Sequence, residues 1–442
     1  MGATAGSGAS WAAKGAGGIA LALLCAGTGC GSGDEASAPP AGAAKPPAAG
    51  ATAAPAGAAA DLDQGLLVAV SRFEKGAGGA PKPHSELLFL RRRGGRWEAK
   101  THEDPTAPVF HKALVYPVAG EGPAILTLGG SAPGGPAALK LWHKSADGLR
   151  PETVWEANFG GKFSRMRDAE IADLDADGQP ELAVATHDQG IVAVVSPKPG
   201  GGYAVKELDR EPDTFVHEIE VGDLDRDGVL EVYATPSEPN RLDGTPQPGK
   251  VVRYVPKAGQ GRAVVGDLGN RHAKEILVAD VDGDGTDELY VSIEAAEGGS
   301  LEIRRYDAGT PASGGFPIAT LRDPMCRFLV AADFDGDGKK EMVAAAKDTG
   351  VWLLRPGADP RAPWKVSLVD GASKGFEHAT AAADLDGDGR AELYVASDDH
   401  KEIRRYVWSG ARFERETIYS RPCNDSILTW NLTPVPVDLM PF

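Results

Sequence analysis

The sequence predicts an all-β fold, a seven-bladed β-propeller of four-stranded antiparallel blades whose N-terminal blade is closed by a C-terminal strand. Three observations carry this expectation. A nine-residue acidic pattern occurs five times at spacings of 50, 57, 53 and 51 residues, and that period is the length of one propeller blade. Short apolar runs flank each copy and two alternating segments follow, so each unit holds four strands. From residue 61 onward no long stretch places apolar residues at i, i+3, i+4 and i+7, and helices are not expected.

The copies read DLDADGQPEL, DLDRDGVLEV, DVDGDGTDEL, DFDGDGKKEM and DLDGDGRAEL. Runs such as EIEVG, EILVA and FLVAA precede the acidic loop as a first strand, and LAVAT, LYVSI and LYVAS follow it as a second. Segments such as KEIRRYVW and FERETIYS, set off by turn residues, supply the third and fourth.

Toward the ends of the chain the acidic loop is lost but the strand pattern persists. Residues 111–157 form one degenerate unit, while residues 65–103 supply only GLLVAVSRF, SELLFLRRR and RWEAKTHE, which match strands two to four. The missing innermost strand is predicted at SILTWNL, residues 426–432. Closing the ring this way removes exposed sheet edges, and the count becomes seven blades.

Each acidic loop has Asp at positions 1, 3 and 5, Gly at 6 and Glu at 9. The carboxylates are Asp173, Asp175, Asp177 and Glu181; Asp223, Asp225, Asp227 and Glu231; Asp280, Asp282, Asp284 and Glu288; Asp333, Asp335, Asp337 and Glu341; Asp384, Asp386, Asp388 and Glu392. Position 7, occupied by Gln179, Val229, Thr286, Lys339 and Arg390, can add its backbone carbonyl. Such a set suits a hard cation that takes six to eight oxygens, and the ion implied is Ca²⁺, about five in all. An EF-hand would place its Glu at position 12 between helices, which excludes that reading. Crowded carboxylates are expected to destabilise the ion-free chain through their mutual repulsion.

These loops resemble the calcium loops of FG-GAP/VCBS repeats, the family of the integrin α-subunit head, certain fungal lectins and many bacterial secreted proteins. The resemblance covers roughly residues 61–442 and implies a seven-bladed propeller with structural Ca²⁺ on the matching positions. DLDQG at 61–65 and GEGPA at 120–124 depart from the pattern, so no ion is expected there.

Residues 1–30 read as an export signal, with Lys14 followed by the apolar stretch GAGGIALALLCAGTG. Thr28 and Gly29 before Cys30 resemble a lipobox, with Gly27 where Leu is usual, so Cys30 is the candidate lipidation site and the only expected tie to a membrane. Residues 31–60 carry no large apolar side chain and are expected to be a disordered linker to the 61–442 domain. The chain is thus expected to be exported, as a cell-surface lipoprotein, in the periplasm or secreted, and monomeric. Beyond the leader only Cys326 and Cys423 remain, which can pair in an oxidising compartment or stay as thiols.

A formal charge of −17 in 442 residues gives no basic face for a phosphate backbone, so nucleic acid is excluded as a partner. No HExxH, P-loop, nucleophile elbow or dinucleotide fingerprint lies in the folded region, and no catalytic activity is expected. His187, His217, His272, His378 and His400 fall near blade turns, where histidines are ordinarily solvated or satisfied locally, a His-lined site being the alternative. The expected function is a calcium-stiffened scaffold for a protein or glycan. Two alternatives are a calcium-dependent lectin, for which Trp142, Trp155, Trp352, Trp364 and Trp408 could stack on sugars, and a polysaccharide-acting enzyme assembled from separate blades.

Overall fold

The apolar runs after the acidic loops show no polar alternation, which a strand packed on both faces requires. In Glu181–Thr186, Glu231–Ser237, Glu288–Ile293, Glu341–Ala346 and Glu392–Ser397 every residue is buried. The outermost strands face water instead, as in Tyr203–Asp209 and Phe413–Ser420, where most side chains are exposed or half-buried.

The computed structural model describes residues 61–75, 81–130, 133–239, 246–295, 299–421 and 425–442. The leader with Cys30, the linker and Cys423 lie outside the described residues, while Cys326 is a buried free thiol. Seven four-stranded antiparallel sheets are present. Blades 2 to 7 span residues 109–157, 166–209, 215–267, 273–321, 326–370 and 380–420. Blade 1 combines residues 64–103 with the C-terminal strand Ser426–Pro436, which takes the innermost place beside Gln64–Lys75. The predicted closure is therefore present, and the strand continues past residue 432 to Pro436.

The core is divided among the seven interfaces between neighbouring blades. One cluster joins blades 1 and 2 around Phe89, Phe110 and Trp142, the next joins blades 2 and 3, and the series runs on to Leu66, Leu88 and Tyr394 between blades 7 and 1. Each acidic loop sends one residue into this packing. Leu174, Leu224, Val281, Phe334 and Leu385, at position 2, are buried in successive interblade clusters. Loop conformation and blade docking are thereby coupled.

Candidate functional site

The acidic loops are shaped by their own first aspartate. In the first loop Asp173 accepts hydrogen bonds from the Asp177 amide at 3.0 Å and the Gly178 amide at 2.9 Å, and the same Asp-to-Gly bond recurs in the other four at 2.8–2.9 Å. The turn requires the left-handed backbone region at position 6, where Gly stands in every copy, with φ from 80 to 89°. Position 4 is left-handed too. Gly283, Gly336 and Gly387 meet that need, but Ala176 (φ 61°) and Arg226 (φ 57°) do not and bear the steric cost of a Cβ in that region. Ala176→Gly is therefore expected to raise stability by about 1 kcal/mol in a urea melt, since relief of the Cβ clash exceeds the added unfolded-chain entropy.

The carboxylates converge. Ligand oxygens lie within 4.8 Å of one another in Asp280, Asp282, Asp284 and Glu288, in Asp173, Asp175 and Glu181, in Asp223, Asp225 and Asp227, in Asp333, Asp335 and Glu341, and in Asp384, Asp386 and Glu392. Asp177, Asp337, Asp388 and Glu231 fall outside these clusters. The position-5 aspartate accepts the amide of position 7 in all five loops, at 2.8–2.9 Å, and Glu231 accepts from Leu224 N and Tyr233 Oη. The donor set remains all-oxygen and anionic, which fits a hard divalent ion.

Four loops also contain a cation of their own. Arg253 from the third strand of blade 4 meets Glu231 at 2.7 Å, and Arg305 of blade 5 meets Asp282 at 2.6 Å and Glu288 at 3.1 Å. Arg355 of blade 6 meets Asp335 at 2.8 Å and Glu341 at 3.4 Å, and Arg405 of blade 7 bonds Asp386 and Glu392. The repulsion expected of the ion-free loops is thus partly neutralised in blades 4 to 7. In blade 3 the third strand, Val192–Pro197, has no basic residue, so the Asp173 loop keeps its full negative charge. Asp61 and Asp63 form no such cluster among the described residues, and Asp61 caps the Gly94 amide instead.

A second constellation lies at the other end of the innermost strands. In blades 1 to 6 the register of that strand shifts at one place, and the irregular residues include Trp430, His111, Arg167, His217, Lys274 and Arg327. A bulge breaks strict alternation and re-aims a side chain. Arg167 of blade 3 reaches Glu377, in the connection just before the inner strand of blade 7, at 3.2 Å, a contact between non-neighbouring blades that must cross the central channel. Glu377 also accepts from Arg327 at 2.8 Å, and Arg327 bonds Glu294 at 3.2 Å. Arg167 further lies 3.2 Å from His217 Nδ1.

His187 stacks on Phe215 at 3.9 Å and meets His217 edge-on at 5.3 Å, while His111 meets Trp430 at 4.7 Å. Burial, followed by the neighbouring arginines, holds His111, His187 and His217 well below the usual imidazole range, so all three are neutral. One layer deeper, Lys112 pairs with Asp168 at 2.5 Å and Glu170 at 2.7 Å. Asp168 and Glu275 accept the bulge amides of Ile219 and Leu329 in the next blade, at 2.9 and 2.7 Å, which gives this acidic layer a structural task.

The histidines near blade turns therefore divide. His187 and His217, expected to be solvated or satisfied locally, belong to the channel end, and His272 stands beside Glu294 at 2.8 Å. His378 is buried between Ser373 and the Ala346 carbonyl, and burial lowers it to about 4, whereas His400 contacts Ser397.

The FG-GAP-like repeat profile matches residues 134–234, 280–344 and 333–395, which include all five acidic loops. The chain is a β-propeller of FG-GAP-like repeats. No curated protein matches it. Among solved structures, the propeller resembles a protein described as a 6-phosphogluconolactonase candidate from Bacteroides fragilis, at 14% identity, TM-score 0.50, and coverage of 86% of this chain and 100% of that one. A puromycin hydrolase matches at 14% identity and TM-score 0.50, over 77% of this chain and 53% of the other.

These likenesses establish the fold, and they correct one expectation. The absence of linear motifs pointed to a chain without catalytic activity, yet propellers of this same shape include proteins named for hydrolytic chemistry. A propeller collects its functional residues one blade at a time, so a search for contiguous motifs cannot exclude activity. The tryptophans offered for sugar stacking are engaged in packing. Trp142 and Trp364 are buried, Trp352 packs on the blade 5–6 cluster, Trp155 tilts against Phe159, and Trp408 meets Phe413 edge-on at 5.3 Å.

Proposed function

We propose that this FG-GAP-like propeller is a calcium-stiffened binding scaffold that works outside the cytoplasm. The observation that carries the reading is the convergence of three or four carboxylate oxygens within 4.8 Å in each of five equivalent loops. In most loops the aspartates at positions 1 and 3 and the glutamate at position 9 would hold the ion, with the position-7 carbonyl completing the set. Because position 2 of each loop is buried between blades, an ion that fixes the loop also fixes the blade interface. The apolar leader ending in Cys30 supports export, and the propeller would be carried at a surface or released. A protein or carbohydrate is the partner class that suits a rigid disc of this kind.

The loops should differ in affinity. With no arginine in the way, the Asp173 loop is expected to fill first in a calcium titration followed by calorimetry, and Asp175→Asn is expected to remove the tightest class of sites. Arg305→Gln is expected to tighten calcium by about a hundredfold or more in its own loop, because a guanidinium within about 4 Å opposes the incoming cation by several kcal/mol at an effective dielectric near 20. Equal affinity in all five loops, or weaker binding in the Gln variant, would overturn the ranking.

A further inference from the structure

In the outer layer of the channel end, above the acidic layer of Asp168 and Glu275, cations outnumber carboxylates by one, and one cation has no carboxylate in contact. Four cations, Arg165, Arg167, Lys274 and Arg327, face three carboxylates: Asp188, which binds Arg165 bidentately, Glu294 and Glu377. Lys274 is 1% exposed, and its recorded hydrogen-bond partner is the Ser237 hydroxyl rather than a carboxylate. Two donors beside it, Arg167 Nε and Arg327 Nη2, have no hydrogen-bond partner, and neither has the ring nitrogen His187 Nδ1. A buried ammonium with no carboxylate in direct contact costs more than a directly paired one, so a further anion beside it is favoured.

We propose that this end of the channel binds a small organic carboxylate, with Lys274 as its counter-ion and the Arg167 and Arg327 guanidiniums as flanking donors. The walls suit an organic body. Phe215, Phe376 and Trp430 are only partly buried there, and each lies against a member of the cluster: Phe215 on His187, Phe376 on Arg327 at 4.6 Å and Trp430 on Arg167 at 5.1 Å. A cation is disfavoured by the same charges that keep the three histidines neutral. The inference adds a small-molecule site to the scaffold proposed above, distinct from its protein or carbohydrate partner, and rests on that reading only in treating the propeller as a binding body. Lys274 lies six residues, roughly 20 Å of strand, from the first loop aspartate, Asp280, so no loop ion touches the carboxylate.

The proton balance gives a second readout. Burial lowers Lys274 to about 7, with Glu294 and Glu377 opposing and Arg327 and Arg167 lowering it further; His187 and His217, on which Lys274 also acts, are neutral, and the neighbouring Glu275, raised well above the usual carboxyl range by burial, is held by the Leu329 amide. An anion favours the charged ammonium and raises that value. Binding is therefore tightest below pH 7, and at pH 8 it takes up close to one proton.

The test is isothermal titration of the full chain with succinate, and separately with inorganic phosphate and glucose, in buffers of different ionisation heat, each in calcium and in chelator. The expected result is a single succinate site with proton uptake at pH 8, weakened at least about tenfold, or 1.4 kcal/mol, by Lys274→Met and largely retained in Lys274→Arg. A melting curve for each variant establishes that it is folded. Absence of succinate heat, unchanged heat in the Met variant, or binding of phosphate alone would overturn the proposal. Succinate binding that is equal with and without calcium, alongside a melt indifferent to chelator, would sink the calcium reading and leave this one standing.

Discussion

Deletion of residues 425–442 is expected to abolish the cooperative unfolding transition, as followed by near-ultraviolet circular dichroism during a urea titration. The strand Ser426–Pro436 pairs with ten residues from Gln64 to Phe73 and is the inner strand of blade 1. It also joins that blade to blade 2, where Asn431 bonds the Ala113 amide and carbonyl, both at 2.9 Å. On the other side Thr429 donates to Asp398 of blade 7 through its amide and hydroxyl at 2.7 and 2.6 Å. Leu432, Val435, Leu439 and Met440 are buried, and at about 1.5–3 kcal/mol each their loss alone approaches the 5–15 kcal/mol that holds a typical domain together. Moving the same residues to precede residue 61 through a short linker should restore folding, because Pro436 lies opposite Gln64 and a hairpin can join them. A truncated chain that still melts cooperatively would contradict the ring closure.

The closing strand was legible because strand periodicity survives where the acidic loop has decayed: blade 1 showed three strands in sequence and needed a fourth. The loops were legible for a related reason, since all their carboxylates fall within nine residues and recur five times. The arginines that enter four of them were not, because Arg253, Arg305, Arg355 and Arg405 stand on a different strand and reach the loop only across the sheet. The channel end escaped for the same physical reason, each blade giving it one residue or two. A signal does exist once the repeats are aligned. Six residues before each loop's first aspartate stand Arg167, His217, Lys274, Arg327 and His378, all basic residue types. Only the last departs, since His378 takes a left-handed backbone (φ 58°) and leaves the channel to its neighbour Glu377.

Removal of calcium is expected to lower the melting temperature by about 10 °C or more, measured by scanning calorimetry in 10 mM calcium and then in chelator. With dissociation constants of about 10⁻⁴ to 10⁻³ M, usual for extracellular modules, 10 mM calcium stabilises by about 1.4–2.7 kcal/mol for each filled loop. Five loops together exceed what a single surface ion pair could supply. The coupling through position 2 makes a sharper claim than the shift itself. Phe334 is fully buried in the blade 6–7 cluster while its amide is held by Glu341 of the same loop at 3.2 Å. Phe334→Ala is expected to cost about 3–5 kcal/mol as a core truncation. Because a loosened anchor leaves the loop less organised, it should also weaken calcium at the Asp333 loop while leaving the Asp173 loop unchanged. If the melt were the same with and without calcium, the loops would be acidic turns held by their own amides and by Arg253, Arg305, Arg355 and Arg405. If calcium shifted the melt but Phe334→Ala left every site intact, the ions would stabilise loops without stiffening the ring.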